Sequence, residues 1–364
     1  MMWSVVKEEW RAVWRDEGVV LIVVFALFIY GISYSLGYGG EVLNEVPIAV
    51  VGGEQGAKSR ELVRMFDASP QLRVACEAAD MTEAERLLRE RKVWGVVALS
   101  PDLERDILSG QQAQVAILGD ASYFLAYREV VEGAVATIQR MNEQIVVERD
   151  GVYNPPIIYE QRNLFNPSLG YGVFVMPAII LLILQQTALI GVGMVSATRR
   201  ERGLRYKSKS AVVITLGRTV VYLAIYALTL GFMLTVHYSL FDYPMRGEWW
   251  RCVAVIVPYL LAVIFLAQAL GALFRRRESS IVWLLWLSIP FLLVSGVSLP
   301  PESFPRWLYI IGKAVPSSSA VDAWIAVQSR GATLTDIAPN LTLLWCLTLL
   351  YGAGAMVANR NSRE

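Results

Sequence analysis

One stretch has nearly the spacing of a phosphate-binding loop. Gly52-Gly-Glu-Gln-Gly-Ala-Lys-Ser59 follows the apolar run VPIAVV and opens a helix-like segment. Such a loop needs glycine just before the lysine, so that backbone N–H groups can close around a phosphate. Ala57 stands at that position, and the stretch reads as a glycine-rich strand-to-helix turn. His237 is the only histidine. A histidine metal cluster is therefore excluded, and a histidine-based triad has one candidate. Its place at the end of a long apolar run points to an interfacial role. Cys76, Cys252 and Cys346 are scattered and suggest no disulfide framework. Carboxylates are spread over amphipathic segments as a solvated face. No nucleophile–base set, metal site or cofactor site emerges.

The elements around these residues explain the scarcity. Of 364 residues, 55% are hydrophobic and 18% charged, with a net charge of +1. That balance excludes a disordered chain and a basic nucleic-acid-binding domain. The apolar residues gather into six runs, at about 19–36, 171–197, 211–236, 252–274, 280–298 and 339–357. Each is long enough for a bilayer, which needs roughly 20 residues. None has a charge near its middle, and Arg218 lies close to one end of the third. The first run follows a long leader with Glu8, Glu9, Asp16 and Glu17, unlike a signal peptide, and reads as an uncleaved anchor. Gln185, Gln186 and Gln268 lie in these runs, with no carboxylate at depth. Interhelical hydrogen bonding suits them, and no proton relay is present.

Lysine and arginine in the short loops set the topology. If the N-terminus is inside, the inner segments carry Lys7, Arg11, Arg15, six basic residues between Arg199 and Lys209, Arg275 to Arg277, Arg360 and Arg363. The outer short segments carry only Arg246, Arg251, Arg306, Lys313 and Arg330. Both termini are then cytoplasmic, and the polar insert 39–168 is extracytoplasmic.

That insert reads as a mixed α/β domain. Strands are expected at 46–51, 72–76, 93–100 and 114–118, and a helix from Ala57 to Phe66. Thr82 and Glu85 have capping-box spacing for a helix reaching Lys92, and Ser100-Pro101 would cap and start a short one. A long helix should bury Phe124, Tyr127, Val131, Val135, Ile138, Met141 and Ile145.

The N-terminal segment places Trp3, Val6, Trp10, Val13 and Trp14 on one helical face. This is the pattern of a helix lying in the membrane interface. The basic loop 198–210 suits either positive-inside bias or docking of a cytoplasmic partner. Between the last two runs, 295–324 holds short apolar pieces broken by prolines, typical of re-entrant or interfacial segments.

The ordered set of these features resembles the permease subunits of type-2 ABC exporters, in the subgroup with a large extracytoplasmic insert between helices one and two. Glu9-Trp10-Arg11 with Arg15-Asp16 is similar to that family's approach to helix one. Arg162 to Pro167, then Phe174 and Pro177, resembles its approach to helix two. Thr198 to Gly203 (TRRERG) is similar to its charged coupling loop. Ser295-Gly296, Pro300, Pro305, Pro316 and Gly331 resemble its outer half-helices. One departure stands out: Leu204, Arg205 and Tyr206 follow Gly203 where the family loop carries threonine and a second acid.

The resemblance implies an α-helical membrane protein with no ATPase of its own, in which a separate cytoplasmic subunit binds ATP. Its parts would be an interfacial helix (1–18), a first transmembrane helix (19–38), the α/β domain (39–168), a five-helix domain (169–358) with a re-entrant outer segment (299–335), and a cytoplasmic tail (359–364). Glu9, Arg11, Arg15, Asp16, Arg199, Arg200, Glu201, Arg202 and Gly203 would couple to the ATPase. Gln185, Gln186, Phe174 and Pro177 would line the path, and Gly296, Pro300, Pro305 and Pro316 would form the outer gate. A second permease copy or a paralogue, a periplasmic adaptor and membrane lipid are the further partners, in a bacterial inner membrane. The cargo would be a drug, lipid or envelope component. The alternative is a membrane-anchored receptor or assembly scaffold whose insert is a binding module.

Overall fold

The computed structural model describes residues 2–38, 43–53, 56–119, 124–150, 171–208, 210–297 and 304–361. The expected approach to helix two at 162–167, and Pro300, lie outside the described residues. The chain divides into two compact units, Gly40–Arg162 and the remainder, Met1–Gly39 with Asn163–Glu364.

The remainder begins with helix α1, Met2–Trp14. Asp16 then caps helix α2, Glu17–Gly37, by accepting the Val19 N–H at 3.2 Å.

The smaller unit alternates strands and helices: β1 Val46–Val51, α3 Ala57–Asp67, β2 Leu72–Ala78, α4 Met81–Arg89, β3 Gly95–Leu99, α5 Leu103–Ser109, β4 Val115–Gly119 and α6 Phe124–Asp150. The sheet order is β2-β1-β3-β4. The β1–β2 and β1–β3 pairs are parallel, and β3–β4 is antiparallel. Parallel neighbours need a crossover, which α3 and α4 supply. Alternation along β1 divides the core in two. Ile48 and Val50 pack with Phe66, Leu72, Val97 and Val130, while Ala49 packs with Ala84, Val93 and Val96 on the other face.

Gly52 adopts φ +80°, and the Glu104 carboxylate lies where a side chain on Gly56 would project, 1.6 Å from the Cβ position. Lys58 pairs with Glu61 at 3.0 Å. A carboxylate thus occupies the helix N-terminus that a phosphate would need.

Three local expectations are corrected. The cap of α4 is Asp80, not Thr82: Asp80 accepts the Glu83 N–H at 2.8 Å, and Glu83 accepts the Ala79 N–H at 3.1 Å. The same spacing recurs two residues earlier with aspartate, a stronger cap than threonine, and the helix ends at Arg89 rather than Lys92. Asp102, not Ser100-Pro101, precedes α5, and Ser100 Oγ accepts the Asp102 N–H in the turn before it. The buried side of α6 is rotated from the large-residue stripe. Ala126, Val130, Ala134 and Met141 are buried, whereas Val135 is exposed. Gly133 explains this, because a Cβ there would lie 2.9 Å from Leu72 Cγ. The helix approaches the sheet along its small residues.

That rotation buries Glu129, 2% exposed, with Arg128 3.5 Å away and Oε1 lacking a hydrogen bond. Burial raises its carboxyl pKa against the pull of Arg128. A raised carboxyl opposes folding above its folded pKa and has no effect once it is protonated in both states. Glu129→Gln should therefore stabilise the protein at pH 7 by about 1 kcal/mol, the low end for an unsatisfied buried group. The gain should vanish near pH 4. A pH-independent difference in chemical denaturation would refute this.

After the insert come α7 Tyr171–Glu201, α8 Ala211–Leu240, α9 Trp249–Gly271, α10 Arg277–Trp286, α11 Ser288–Val294, α12 Arg306–Lys313, α13 Pro316–Arg330 and α14 Ala338–Asn361. Among the described residues, six helices are long and apolar enough to cross a membrane: α2, α7, α8, α9, the α10–α11 pair and α14. The α7 helix is the most enclosed and packs on α2, α9, α10 and α13. Small residues permit this close approach: a Cβ at Gly191 would meet Val23 Cγ2 at 2.1 Å, and one at Gly193 would meet Leu284 Cδ1 at 2.5 Å.

The fifth run is not one continuous helix. It breaks at Leu287 between α10 and α11, where Pro290 has no N–H for the carbonyl one turn back. His237 is buried within the protein. It is 2% exposed, its Nε2 lies 2.8 Å from Ser35 Oγ of α2, and that oxygen accepts the Tyr243 hydroxyl at 3.0 Å. Pro316 starts α13, which packs against α7, α9 and α14 and buries Trp324 to 1% exposure.

Candidate functional site

The buried face of α1 carries Val5, Glu9 and Val13, while Trp3, Trp10 and Trp14 are exposed. Positions four apart share one helical face, and this one packs on α8. Gly217 permits the approach, since a Cβ there would lie 2.8 Å from Val5 Cγ1. Glu9 is thereby driven into the bundle at 0% exposure, where an unpaired carboxylate would be very costly.

Its partners converge from distant parts of the chain. Arg218 Nε donates to Glu9 Oε1 at 2.9 Å, and the Tyr222 hydroxyl donates to the same oxygen at 3.0 Å. The Tyr206 hydroxyl donates to Oε2. Arg218 also donates to Ser196 Oγ of α7 at 2.6 Å and to Asn359 Oδ1 of α14 at 3.3 Å. Asn359 continues the network to Thr215 Oγ1 at 2.9 Å and Gln268 Oε1 of α9 at 3.2 Å. One cluster therefore ties α1 to α7, α8, α9 and α14. Burial alone would raise the Glu9 pKa. The charges of Arg218 and Arg199 and the donated hydrogen bonds reverse that and hold it below the ordinary carboxylate value. Burial and the neighbouring Glu9 charge push the Tyr206 phenol up, so it remains a donor.

The end of α7 leads into this cluster. Arg199 lies over the Tyr206 ring, 3.7 Å from its centroid, and pairs with Glu8 at 3.4 Å. Arg200 donates to the Phe274 carbonyl at 3.2 Å, and Glu201 accepts the Arg277 N–H at 3.4 Å. Gly203 sits at φ +64°, with Gly203 N–H to Arg200 O at 3.0 Å and Leu204 N–H to Arg199 O at 2.7 Å. Those two bonds close the helix in a Schellman motif, which favours glycine at this left-handed position. The Asp16 cap is held separately by a two-pronged pair with Arg277, one bond at 2.8 Å. Burial works against its ionisation, but the Arg277 hydrogen bond and the Val19 N–H lower the Asp16 pKa. Arg11, Arg15 and Arg202 are exposed and remain outside the cluster.

The residues expected along the path have interhelical partners. Gln185 Oε1 accepts the Ser317 N–H at 3.0 Å, satisfying the N-terminus of α13. Gln186 Nε2 donates to the Leu284 carbonyl at 2.5 Å, just before the α10–α11 break. Pro177 is buried within α7, and Phe174 is exposed on it. Gly296 takes φ +83° after α11, and Pro305 immediately precedes α12.

A family model described as ABC-2 family transporter protein matches residues 18–357. The chain belongs to the ABC-2 transporter family. Among similar proteins, the probable multidrug ABC transporter permease YbhR of Escherichia coli K12 is 20% identical over 358 residues, covering 97% of this chain and 96% of that protein. The inner membrane transport permease YhhJ of the same strain is 23% identical over 360 residues, covering 96% and 92%. No solved structure matches the chain. With its six span-length helices, this ABC-2 chain is a multi-pass transmembrane transport permease.

The ABC-2 resemblance singled out Glu9 but not the groups that receive it, Arg218, Tyr206 and Tyr222, nor Ser196 and Asn359, which hold Arg218. Two signals in the sequence pointed to them. Glu9 lies four residues from both Val5 and Val13, on a face otherwise apolar. Arg218 is the lone cation within its apolar run. A buried acid and a buried base left over in separate helices are a natural pair.

Proposed function

We propose that this chain is the membrane subunit of an ATP-driven exporter. It moves a drug, lipid or envelope component out of the cytoplasm or inner membrane, using ATP hydrolysed on a separate cytoplasmic subunit. Membership of the ABC-2 family supports a partner ATPase in general terms. The excess of lysine and arginine in alternate short loops supports cytoplasmic termini and an extracytoplasmic α/β insert. The exposed tryptophans of α1 suit a helix lying in the interface. Two copies, or this chain and a paralogue, form the transport unit, and the insert extends the path or engages a periplasmic adaptor.

The observation that carries this reading is the Glu9–Arg218 cluster. It joins α1 and the stretch after α7 to the ends of four span helices. A push at the exposed edge, on Arg11, Arg15, Glu201, Arg202 or the Gly203 turn, is then transmitted through packed and hydrogen-bonded groups rather than through a loose loop. Asp16, Arg199 and Arg200 couple by holding that edge in place. Gln185 and Gln186 set the spacing of α7 against α13 and α10 next to the path, with Phe174 and Pro177 at its far end. Gly296, Pro305 and Pro316 supply the outer bends.

The test is co-purification with the ATPase encoded beside this chain, followed by ATPase assays in lipid nanodiscs. Glu201→Ala with Arg202→Ala changes only exposed side chains. It should leave the protein folded and reduce the permease-dependent part of ATP turnover at least tenfold. A stable permease that captures no ATPase would overturn the exporter reading and favour the receptor or scaffold.

A further inference from the structure

A cavity of about 380 Å³ opens beside the cluster, where α7, α8, α9 and α14 end. Its size falls within the range of small-molecule sites, about 300–1,000 Å³. Five cationic side chains line it: Arg199, Arg200, Arg205, Lys207 and Arg218. Among the described residues, no carboxylate does. Glu8 and Glu9 lie behind the lining, paired with Arg199 and Arg218. The Arg199 Nε is buried without a hydrogen-bond partner. Leu204 and Ile214 make part of the wall apolar.

Positive-inside bias accounts for basic residues at span ends, but it does not require them to converge on one recess. Arg199 and Arg218 are balanced by Glu8 and Glu9, and the further positive charges of Arg200, Arg205 and Lys207 around the recess attract an anion. Arginine matches phosphate in geometry and charge. A recess with both cationic and apolar walls between span ends suits an amphiphile with a phosphate head.

We propose that this cavity is a binding site for a phosphate-bearing anion, occupied in the membrane by the headgroup of an anionic phospholipid. The phosphate lies among Arg199, Arg205 and Lys207, and the glycerol portion lies against Leu204 and Ile214. The site is independent of the exporter reading, because its ligand binds whether or not an ATPase is present.

The test uses the full chain in detergent without any ATPase. Dioctanoyl phosphatidylglycerol, dioctanoyl phosphatidylcholine and inorganic phosphate are titrated by microscale thermophoresis. Phosphatidylglycerol should bind at least tenfold more tightly than phosphatidylcholine, and binding should weaken as salt rises. Arg205→Gln with Lys207→Gln removes two exposed charges and should weaken it by a further tenfold or more. Inorganic phosphate competing at equal affinity would support the anion site and identify the free ion as its source. Equal binding of the two lipids, or a double variant that binds like wild type, would overturn the proposal. So would binding of neither phosphatidylglycerol nor inorganic phosphate.

Discussion

Glu9→Gln is expected to destabilise the protein by about 3–5 kcal/mol, the usual cost of leaving one member of a buried ion pair behind. The variant keeps the shape of the side chain but leaves Arg218 buried among Ser196, Asn359 and a neutral amide. Arg218→Met alone should cost a similar amount, since it isolates Glu9. The double change Glu9→Leu with Arg218→Met should cost much less than the sum, because apolar groups of similar volume often replace a buried pair at little cost. This non-additivity separates a charge pair from two independent packing positions. Tyr206→Phe removes one donor to a charged group and should cost about 1.5–3 kcal/mol.

The pH dependence follows from the sign of the Glu9 shift. Its carboxyl pKa is lower in the folded protein than in the unfolded chain. The stabilisation is therefore complete above the ordinary carboxylate pKa and is lost as pH falls through the lower folded value. Wild type and Glu9→Gln should differ most near neutral pH and converge on strong acidification. Thermal unfolding of the purified protein in detergent across pH would show this. A gap that widened in acid, or single variants within about 1 kcal/mol of wild type, would rule out the pair as the anchor of α1.

Trp324→Ala should also be severe, at about 3–5 kcal/mol. Trp324 is the largest fully buried side chain among the described residues, at 1% exposure. It lies on α13, which α7, α9 and α14 enclose, so the cavity cannot close by movement of a surface loop. The damage should be local at first. Gln185 holds the start of α13, and Gln328 Nε2 bonds the Pro244 carbonyl near its end at 2.5 Å. Trypsin cleavage at Arg330 should accelerate well before global unfolding. Trp324→Phe should retain more than half of the lost stability. Equal cleavage rates for wild type and Trp324→Ala would show that α13 is held by its ends rather than by its core.

Local chemistry made much of the architecture legible in the sequence. A bilayer demands long uncharged helices, so the six span-length helices stood out as runs of apolar residues. The strands of the insert were legible for a similar reason, because each is a short apolar run bounded by turn residues. The resemblance to the ABC-2 family rested on the same order of elements. Features that several spacings satisfy equally well were less legible. Asp80 and Thr82 have equal claims on a glutamate three residues later, and only the start of the helix chose between them. The large residues of α6 suggested one buried face, but Gly133 let the sheet come closer on another.

The sequence by itself determined which segments can leave water, and thus the helical membrane class and its α/β insert. Tertiary structure alone decided where the polar residues of those segments go. Glu9 and Arg218 are 209 positions apart, and no local rule relates them. They meet because Val5 and Val13 pack α1 on α8 at Gly217, and because a carboxylate on that face is stable only beside a cation. The same packing spends Gln185 and Gln186 on interhelical bonds and draws five basic side chains around one cavity. Apolar burial is additive along a chain and can be read residue by residue. Compensation of buried polar groups depends on which distant group arrives, and that is settled only when the helices pack.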